Sequence, residues 1–552
     1  MDNPRGGILL LGVSLLVAVF TASSVRTQDG DDGSADARET AKRLLNSTEA
    51  AHLSGAGHAL AQHLNGTAAL NSLIHPLARG NADVILPFNS NRFQVMVNDP
   101  GQDQFELSDI STQSETAVAG YGSTIVVTFN DSGEFTLFPT FMGYSRSNDG
   151  GQSFTDLGKV PPFVLPPNLQ LNGGDPAIVA DRAGNFYVSH LTSVTTAVRP
   201  AGFTSVIGIN KSTDGGQTWG PTVYPAVAGV KTGSSQDKEF IAVDTSGGAC
   251  NGNVYVSWTS FGGTTPPGDS PNPPIFISRS TDGGATFSVP LKISPFAHSN
   301  QGSEPVVGPN GHVYVAWFRI NGPPPGPAQP PLPPAIMIAK STNCGVSFGP
   351  AVEVARLTPV GFGGAPVNAR TRANFRTNSF PRIDVNPLNG HLYIVYNANP
   401  PGPDGADIFF TRSTDGGATW STPTRVNSDP GDNDQLFPDI AVNASGAIEI
   451  AWYDQRRDPE NFRMDIYHSQ STDGGLSFGP NHRVTQTSSL PAVGYDPVVN
   501  PNYMGDYIDL KAITTATGPG NDFLLTWGDW RRVIVTNGGV RPDQDAFFTL
   551  LR

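Results

Sequence analysis

The sequence predicts an all-β fold assembled from repeated four-stranded sheets, and three observations carry that prediction. Glycine and proline number 62 and 48 among 552 residues while charged residues make up only 15%, a balance suited to many short strands joined by turns. A fixed turn, S-x-D-G-G-x-[ST]-[FW], occurs in six copies, one of them degenerate. The copies lie about 58 to 72 residues apart, room for one four-stranded sheet in each interval.

In chain order, Arg5, the apolar run Ile8 to Phe20 and the small residues Ala22, Ser23 and Ser24 form the three-part pattern of a secretory signal over 1–27. The expectation is a secreted protein, extracellular or periplasmic. The apolar run is too short to span a bilayer comfortably and no later segment approaches a span, so no membrane contact beyond the signal is expected. Residues 28–84 turn to Asp, Ala, His and Asn, with Leu44, Leu45, Leu53, Leu60 and Leu64 at loosely helical spacing. They read as a helical or disordered spacer, whose His52, His58, His63 and His75 are solvated positions rather than a metal site. Residues 85–552 form the repeat domain.

The turn runs Ser147–Phe154, Ser212–Trp219, Ser280–Phe287, Ser413–Trp420 and Ser471–Phe478, with the degenerate copy at Ser341–Phe348. Its acidic residue accepts backbone N–H groups, its glycines take positive φ, and its aromatic residue returns to the core. Asp149, Asp214, Asp282, Asn343, Asp415 and Asp473 are therefore structural. Beyond the sixth copy, Met504 to Leu510, Phe523 to Trp527 and Ala546 to Leu551 repeat the first three strands of a unit, and no fourth follows. Phe93 to Gln104 parallels Thr424 to Gln435, a fourth strand, and is expected to supply the missing one. The prediction is a seven-bladed β-propeller closed by its N-terminal strand, with six blades as the alternative.

The repeated turn resembles the Asp-box of the sialidase superfamily over about 115 to 480. The motif specifies the fold more than the activity. With a formal charge of −14 and no Lys/Arg run, nucleic acid is not an expected partner, and an acidic sugar requires a local arginine pocket. Cys250 and Cys344 fall in turns on one face of adjacent repeats, which suits a disulfide in an oxidising compartment.

The first strands of the repeats start at Glu115, Asp175, Glu239, Glu304, Phe380, Phe437 and Asp506, placing several carboxylates near the axis. Second strands end in Trp317-Phe318-Arg319, Trp452 to Asp458 and Trp527 to Arg532, with W-x-D-x-R present twice. Each such Asp and Arg reads either as a lock between blades or as a rigid guanidinium for a ligand carboxylate.

The sialidase resemblance implies a Tyr–Glu nucleophile, three arginines gripping a carboxylate and an Asp acid/base. Glu304 with Arg319 looks like the family's Glu and arginine blade, Arg382 like another arginine, and Tyr507-Ile508-Asp509-Leu510 like the nucleophile strand. The chain departs in its first blade, which lacks the family's arginine segment, and at Asp439, where the family has arginine. Arg456 or Arg531, with Asp529 beside it, then substitutes for the missing arginine, and Asp454 or Asp458 serves as acid.

The implied function is a glycoside hydrolase releasing terminal acidic sugars, of exo-α-sialidase type. The alternatives are a non-catalytic glycan- or protein-binding propeller and another glycan-cleaving enzyme, lyase or glycosidase, on the same scaffold. A monomer with a glycan partner is expected. No cofactor is required, although the Asp-rich turns at Asp429, Asp432, Asp434, Asp99 and Asp103 suit a structural Ca²⁺.

Overall fold

The computed structural model describes residues 94–100, 111–133, 140–160, 170–196, 199–225, 234–262, 272–295, 298–322, 330–360, 375–491, 496, 499, 503–536 and 539–552. The segments read as signal and spacer, 1–27 and 28–84, lie outside the described residues, as does Asp103. Every regular element among the described residues is a β-strand.

The first strand is β1 (Val95–Met96). Unit one holds β2 (Gln113–Tyr121), β3 (Thr124–Asp131), β4 (Met142–Ser147) and β5 (Thr155–Lys159), and unit two β6 (Gln170–Ala180), β7 (Phe186–Thr196) and β8 (Arg199–Ser212). An Ile209–Val223 bridge stands where a fourth strand of unit two would run. Unit three holds β9 (Ser234–Val243), β10 (Val254–Gly262), β11 (Ile275–Ser280) and β12 (Leu291–Lys292). Unit four holds β13 (Ser299–Val307), β14 (Val313–Asn321), β15 (Ala335–Ser341) and β16 (Val352–Arg356). Unit five holds β17 (Arg382–Val385), β18 (Leu392–Ala398), β19 (Asp407–Ser413) and β20 (Thr424–Arg425). Unit six holds β21 (Gln435–Val442), β22 (Ile448–Asp454), β23 (Asp465–Ser471) and β24 (His482–Arg483), and unit seven β25 (Asp509–Thr515), β26 (Gly518–Thr536) and β27 (Gly539–Leu551). Within each unit neighbouring strands pair antiparallel in chain order.

The outer strand of unit seven is β1, which pairs with β27 through Val95 opposite Phe548 and Met96 opposite Phe547. Its hydrogen bonds copy those of an ordinary fourth strand. Val97 N–H donates to the Ala546 carbonyl (2.8 Å) and Ala546 N–H to Asn98 Oδ1 (3.0 Å). In unit five Val426 N–H donates to the Ile408 carbonyl (2.9 Å) and Ile408 N–H to Asn427 Oδ1 (2.9 Å). Unit six does the same with Val484, Ile466 and Thr485. The signature is an apolar residue followed by a small polar one; counting evenly from Phe93 and Thr424 sets Met96 against Asn427, whereas Asn98 holds that role.

First strands touch in the order β2, β6, β9, β13, β17, β21, β25 and back to β2. The last contact includes a parallel pairing, Tyr121 with Thr514, which merges units seven and one into one eight-stranded sheet. Seven apolar clusters fill the spaces between consecutive sheets. The one between units one and two holds Val126, Tyr144, Phe186 and Val188, and the one between units seven and one holds Val118, Phe129, Leu524 and Phe548. Because both faces of most strands meet a neighbour, their buried runs are nearly continuous rather than alternating.

On one face of this ring lie the repeated turns. In each copy the serine hydroxyl accepts a glycine N–H and donates to the Asp, as Ser280 does with Gly284 (2.8 Å) and Asp282 (2.7 Å). The carboxylate then takes the Thr286 N–H (2.9 Å) and hydroxyl (2.6 Å). In the degenerate copy Asn343 turns its amide outward as donor to Ser347 Oγ (2.9 Å). Gly475 shows why the second glycine is needed, since a Cβ there would lie 2.4 Å from Phe410 of the preceding unit.

A cation just before the serine latches five of the six turn-bearing units to the next. Arg146, Lys211, Arg279, Lys340 and Arg412 donate to the carbonyls of Gly215, Gly283, Cys344, Gly416 and Gly474. The sixth copy, followed by a unit without the turn, has Gln470 there instead. Cys344 takes the place of a glycine at φ 57° and is disulfide-bonded to Cys250, tying unit four to unit three.

Candidate functional site: ion clusters on the ring axis

The first strands of five units carry the same irregularity. Register skips two residues at Glu115–Thr116, Asp175–Pro176, Lys238–Glu239, Gly302–Ser303 and Phe437–Pro438. The first residue of each pair has positive φ: 49° at Glu115, 55° at Asp175, 53° at Lys238, 66° at Gly302 and 50° at Phe437. A left-handed residue opening a bulge kinks the strand and re-aims its side chain, and such strain in non-glycine residues concentrates where function or close packing demands it.

Those bulges build an upper cluster at the strand starts. Lys238 Nζ lies 2.6 Å from Glu115, 2.8 Å from Asp506 and 3.5 Å from Asp175, and 4.8 Å above the Tyr507 ring. Arg376 grips both oxygens of Asp506 and stacks 5.3 Å over Tyr503. Asn130 bridges Glu115 (3.0 Å) and the Tyr503 hydroxyl (2.8 Å). Glu239 lies buried beside this group, and no other residue hydrogen-bonds its carboxyl oxygens.

Environment splits these acids. Burial pushes Glu115 and Glu239 well above the carboxylate range, and the neighbouring Asp175 adds to it. Burial also opposes ionisation of Asp506, but Arg376 and Lys238 outweigh it and hold that group far down.

One layer along the axis sits a second cluster, centred on Arg382. Its guanidinium takes Asp439 in a bidentate grip (2.9 and 2.8 Å), reaches Asp509 (3.0 Å) and Glu304 (3.4 Å), and covers Phe240 at 4.2 Å. Lys511 joins Glu304 (3.2 Å) and Asp509 (3.5 Å). Burial raises Asp509 to about 7, while Arg382 and then Lys511 overcome burial at Asp439 and lower it.

The tyrosine–glutamate pair implied by the resemblance is not formed. Tyr507 donates to the Pro176 carbonyl (3.0 Å), whereas Glu304 accepts the Ile383 N–H (2.9 Å) and meets Arg382 and Lys511. Burial, then the charges of Glu115 and Asp175, hold the Tyr507 proton firmly. A retained proton is the reverse of what a phenolate nucleophile needs.

Nor do the arginines converge. Arg319 serves the outer part of its own unit, donating to the Pro333 carbonyl (2.8 Å) and Glu353 (2.7 Å). Arg456 closes on Asp454 (2.6 Å) and stacks 4.3 Å over Tyr467, and Arg531 closes on Asp529 and stacks 4.2 Å over Phe547. Trp452 and Trp527 donate their indole N–H to the same carboxylates (2.7 and 3.0 Å). Each W-x-D-x-R is thus a staple between the second and third strands of one unit rather than a ligand clamp, and the Arg456 copy also reaches Asp429, in the loop that leaves unit five (3.8 Å). Asp454 is saturated by its staple. Asp458 accepts the Glu460 and Arg463 N–H groups and shapes its own loop.

Register explains the other displacement. The residues matching Glu115 and Asp175 are Lys238 and Gly302, not Glu239 and Glu304, so sequence reasoning missed the central cation. Glu304 belongs with Phe240, Arg382, Asp439 and Asp509 in the second layer. Arg376, Tyr503 and Lys511 were also missed. A signal existed: E-T-A, D-P-A, K-E-F, G-S-E and F-P-D align once the two-residue bulge is counted.

Of the turns read as Ca²⁺ ligands, Asp429 accepts Asn427 Nδ2 (2.6 Å) and Asp434 accepts Asn461 Nδ2 (2.6 Å). Among the described residues no three His, Cys, Asp or Glu side chains are arranged to hold a metal.

No protein-family profile matches the chain, and no curated protein matches it. Among solved structures it is similar to a Hadza microbial sialidase, at 15% identity and TM-score 0.40 over 74% of this chain and 73% of that one. It is similar to the intramolecular trans-sialidase from Ruminococcus gnavus, at 12% identity and TM-score 0.39 over 67% and 93%. It is also similar to the Penicillium chrysogenum α-L-arabinanase, at 11% identity and TM-score 0.40 over 70% and 98%. The solved structures that resemble this chain thus include sialidases and an arabinanase.

Proposed function

We propose that the chain is a seven-bladed propeller acting as an exported glycoside hydrolase, with its acid and base among the axial carboxylates of the upper cluster. The observation that supports this is the split inside one group of acids: Asp506, chelated by Arg376 and Lys238, is held toward its ionised form, while burial pushes Glu239 nearby toward its protonated form and no other residue hydrogen-bonds its carboxyl group. Glycosidic cleavage by acid and base needs two carboxyl groups held in opposite protonation states. Glu239 gives its proton to the leaving oxygen in this reading, water adds to the sugar carbon whose bond is broken, and the Asp506 carboxylate takes the proton that the water loses. Release of terminal acidic sugars by a sialidase route is disfavoured, because Tyr507 and Glu304 are apart and Arg382 is already bound to carboxylates.

A non-catalytic glycan-binding propeller is the second reading, favoured by burial: Glu115, Asp175, Glu239 and Asp506 are each no more than 5% exposed. Hydrolysis of a panel of chromogenic glycosides, a sialoside included, separates the readings. Turnover that falls by about 100-fold or more in Glu239→Gln and persists in Tyr507→Phe is the expected result. Turnover of the sialoside abolished by Tyr507→Phe returns the sialidase mechanism, and no turnover of any glycoside leaves the binding module.

A further inference from the structure

Unit six departs from its fellows at three positions that meet on one patch of its sheet. In unit four these positions hold Tyr314 on the second strand, Ile338 on the third and Val352 on the outer strand, and in unit five Tyr393, Phe410 and Thr424. Units two and three likewise carry Tyr, Ile and then Val or Leu. Unit six carries Glu449, His468 and His482.

The exchange falls where the ring leaves room for it. In unit five the next unit's turn covers the spot, with the Phe478 ring 4.9 Å from that of Phe410. Unit seven has no such turn. His468 keeps 21% of its side chain exposed, and His482 is exposed.

Glu449 Oε1 lies 2.8 Å from His468 Nδ1, and Gln470 Nε2 donates to Glu449 Oε2 (3.1 Å). A carboxylate only accepts, so Nδ1 carries a proton and the neutral ring has its lone pair at Nε2. A carboxylate behind an imidazole in this way fixes the tautomer and strengthens the ring as a metal ligand. His482 is the cross-strand partner of His468, with ring centres 5.7 Å apart. Two imidazoles bound to one ion, each through a nitrogen about 2.1 Å from it, have centres roughly 5 to 6 Å apart.

We infer that His468 and His482 form a binding site for a divalent transition metal ion, Zn²⁺ above all, on the two outer strands of unit six. Glu449 orients His468 rather than binding the ion, so the protein supplies two ligands and water completes the shell. Imidazole donors favour Zn²⁺, Cu²⁺ and Ni²⁺ over Ca²⁺ and Mg²⁺. The site belongs to third and fourth strands and so stands apart from the axial clusters.

Calorimetric titration of the full chain with Zn²⁺, beside His468→Ile and His482→Leu, tests the site. These variants restore what unit three has in the same places, Ile277 opposite Leu291, and are expected to keep the sheet. His52, His58, His63 and His75 also offer imidazole to Zn²⁺, so the difference between proteins is the readout. Each histidine variant is expected to lose one equivalent of Zn²⁺ bound with a Kd on the order of 10 μM. Glu449→Gln is expected to keep that equivalent but bind it about tenfold more weakly, and Ca²⁺ not to compete. No Zn²⁺ binding to the unmodified protein, the equivalent kept at full affinity in either histidine variant, or displacement by Ca²⁺ overturns the assignment. Affinity unchanged in Glu449→Gln overturns the role given to Glu449.

Discussion

Aspartates on the turn face and carboxylates on the axis are the same chemical group in two settings, and they are pushed in opposite directions. Asp149, Asp282 and Asp415 stand in solvent, where hydrogen bonds from the following Ser or Thr hydroxyl and from the backbone hold them down at about 2. Glu115, Glu239, Asp384 and Asp509 are buried, and desolvation raises every one of them. An exposed anion needs only a few local donors, whereas a buried one stays ionised only where a cation faces it, as at Asp506 and Asp439. The turn face is accordingly a set of independent staples, and the axis is one connected electrostatic object.

Removing a cation from the axis is the most severe way to break that contrast. Lys238→Met leaves Glu115, Asp175 and Asp506 buried around an apolar side chain, and loss of one partner from a buried ion cluster costs about 3–5 kcal/mol. Chemical denaturation is expected to show a loss of this size, or a protein that does not fold. A loss below about 1 kcal/mol, the scale of a surface pair, makes the axis no different from the turns.

The pH profile sharpens the comparison next. Asp384 has an ordinary value of 3.8 and is raised by burial to about 7, so between these values the unfolded chain has lost a proton that the folded chain keeps. Stability therefore falls as pH rises from about 4 to about 7. The lowered turn aspartates act in the opposite sense, contributing stability above their ordinary value that is lost as pH falls toward about 2. Denaturation midpoints are expected to peak on the acid side of neutrality, and Asp384→Asn to make the neutral limb shallower, Asp509 still contributing to it, while leaving the acid limb unchanged. A midpoint that rises steadily from pH 4 to 7 contradicts the burial-driven shifts.

The smallest expected effect belongs to a single turn. Asp282→Ala removes the acceptor for the Thr286 N–H and hydroxyl, but water replaces it at this exposed site. The cost is about 1 kcal/mol or less, measured by thermal unfolding. A loss comparable to that of Lys238→Met would mean the turns also behave as one connected system.

Much of this architecture was legible in the sequence because the turn is a local motif: Ser, Asp, two glycines and an aromatic residue within eight positions specify their own hydrogen bonds. The N-terminal strand was legible for a similar reason, since Val97-Asn98 repeats the chemistry of Val426-Asn427. The axis was not. A two-residue bulge shifts register between repeats, so Glu239 and Glu304 were set at the level of Glu115, while Lys238 holds that place. Which cation meets which carboxylate there is decided by contacts between residues more than a hundred positions apart, such as Arg376 with Asp506 and Lys238 with Glu115. The W-x-D-x-R staples show a related difficulty, because the sequence gives no sign that each arginine folds back onto the aromatic ring of its own third strand.

Infrared difference spectroscopy at pH 7, comparing the unmodified protein with Glu239→Gln, tests the central claim most directly. Disappearance of a protonated carboxyl band in the variant is the predicted result. Disappearance of a carboxylate band instead would show Glu239 ionised, and the division of the axial acids into proton holders and anions would fail.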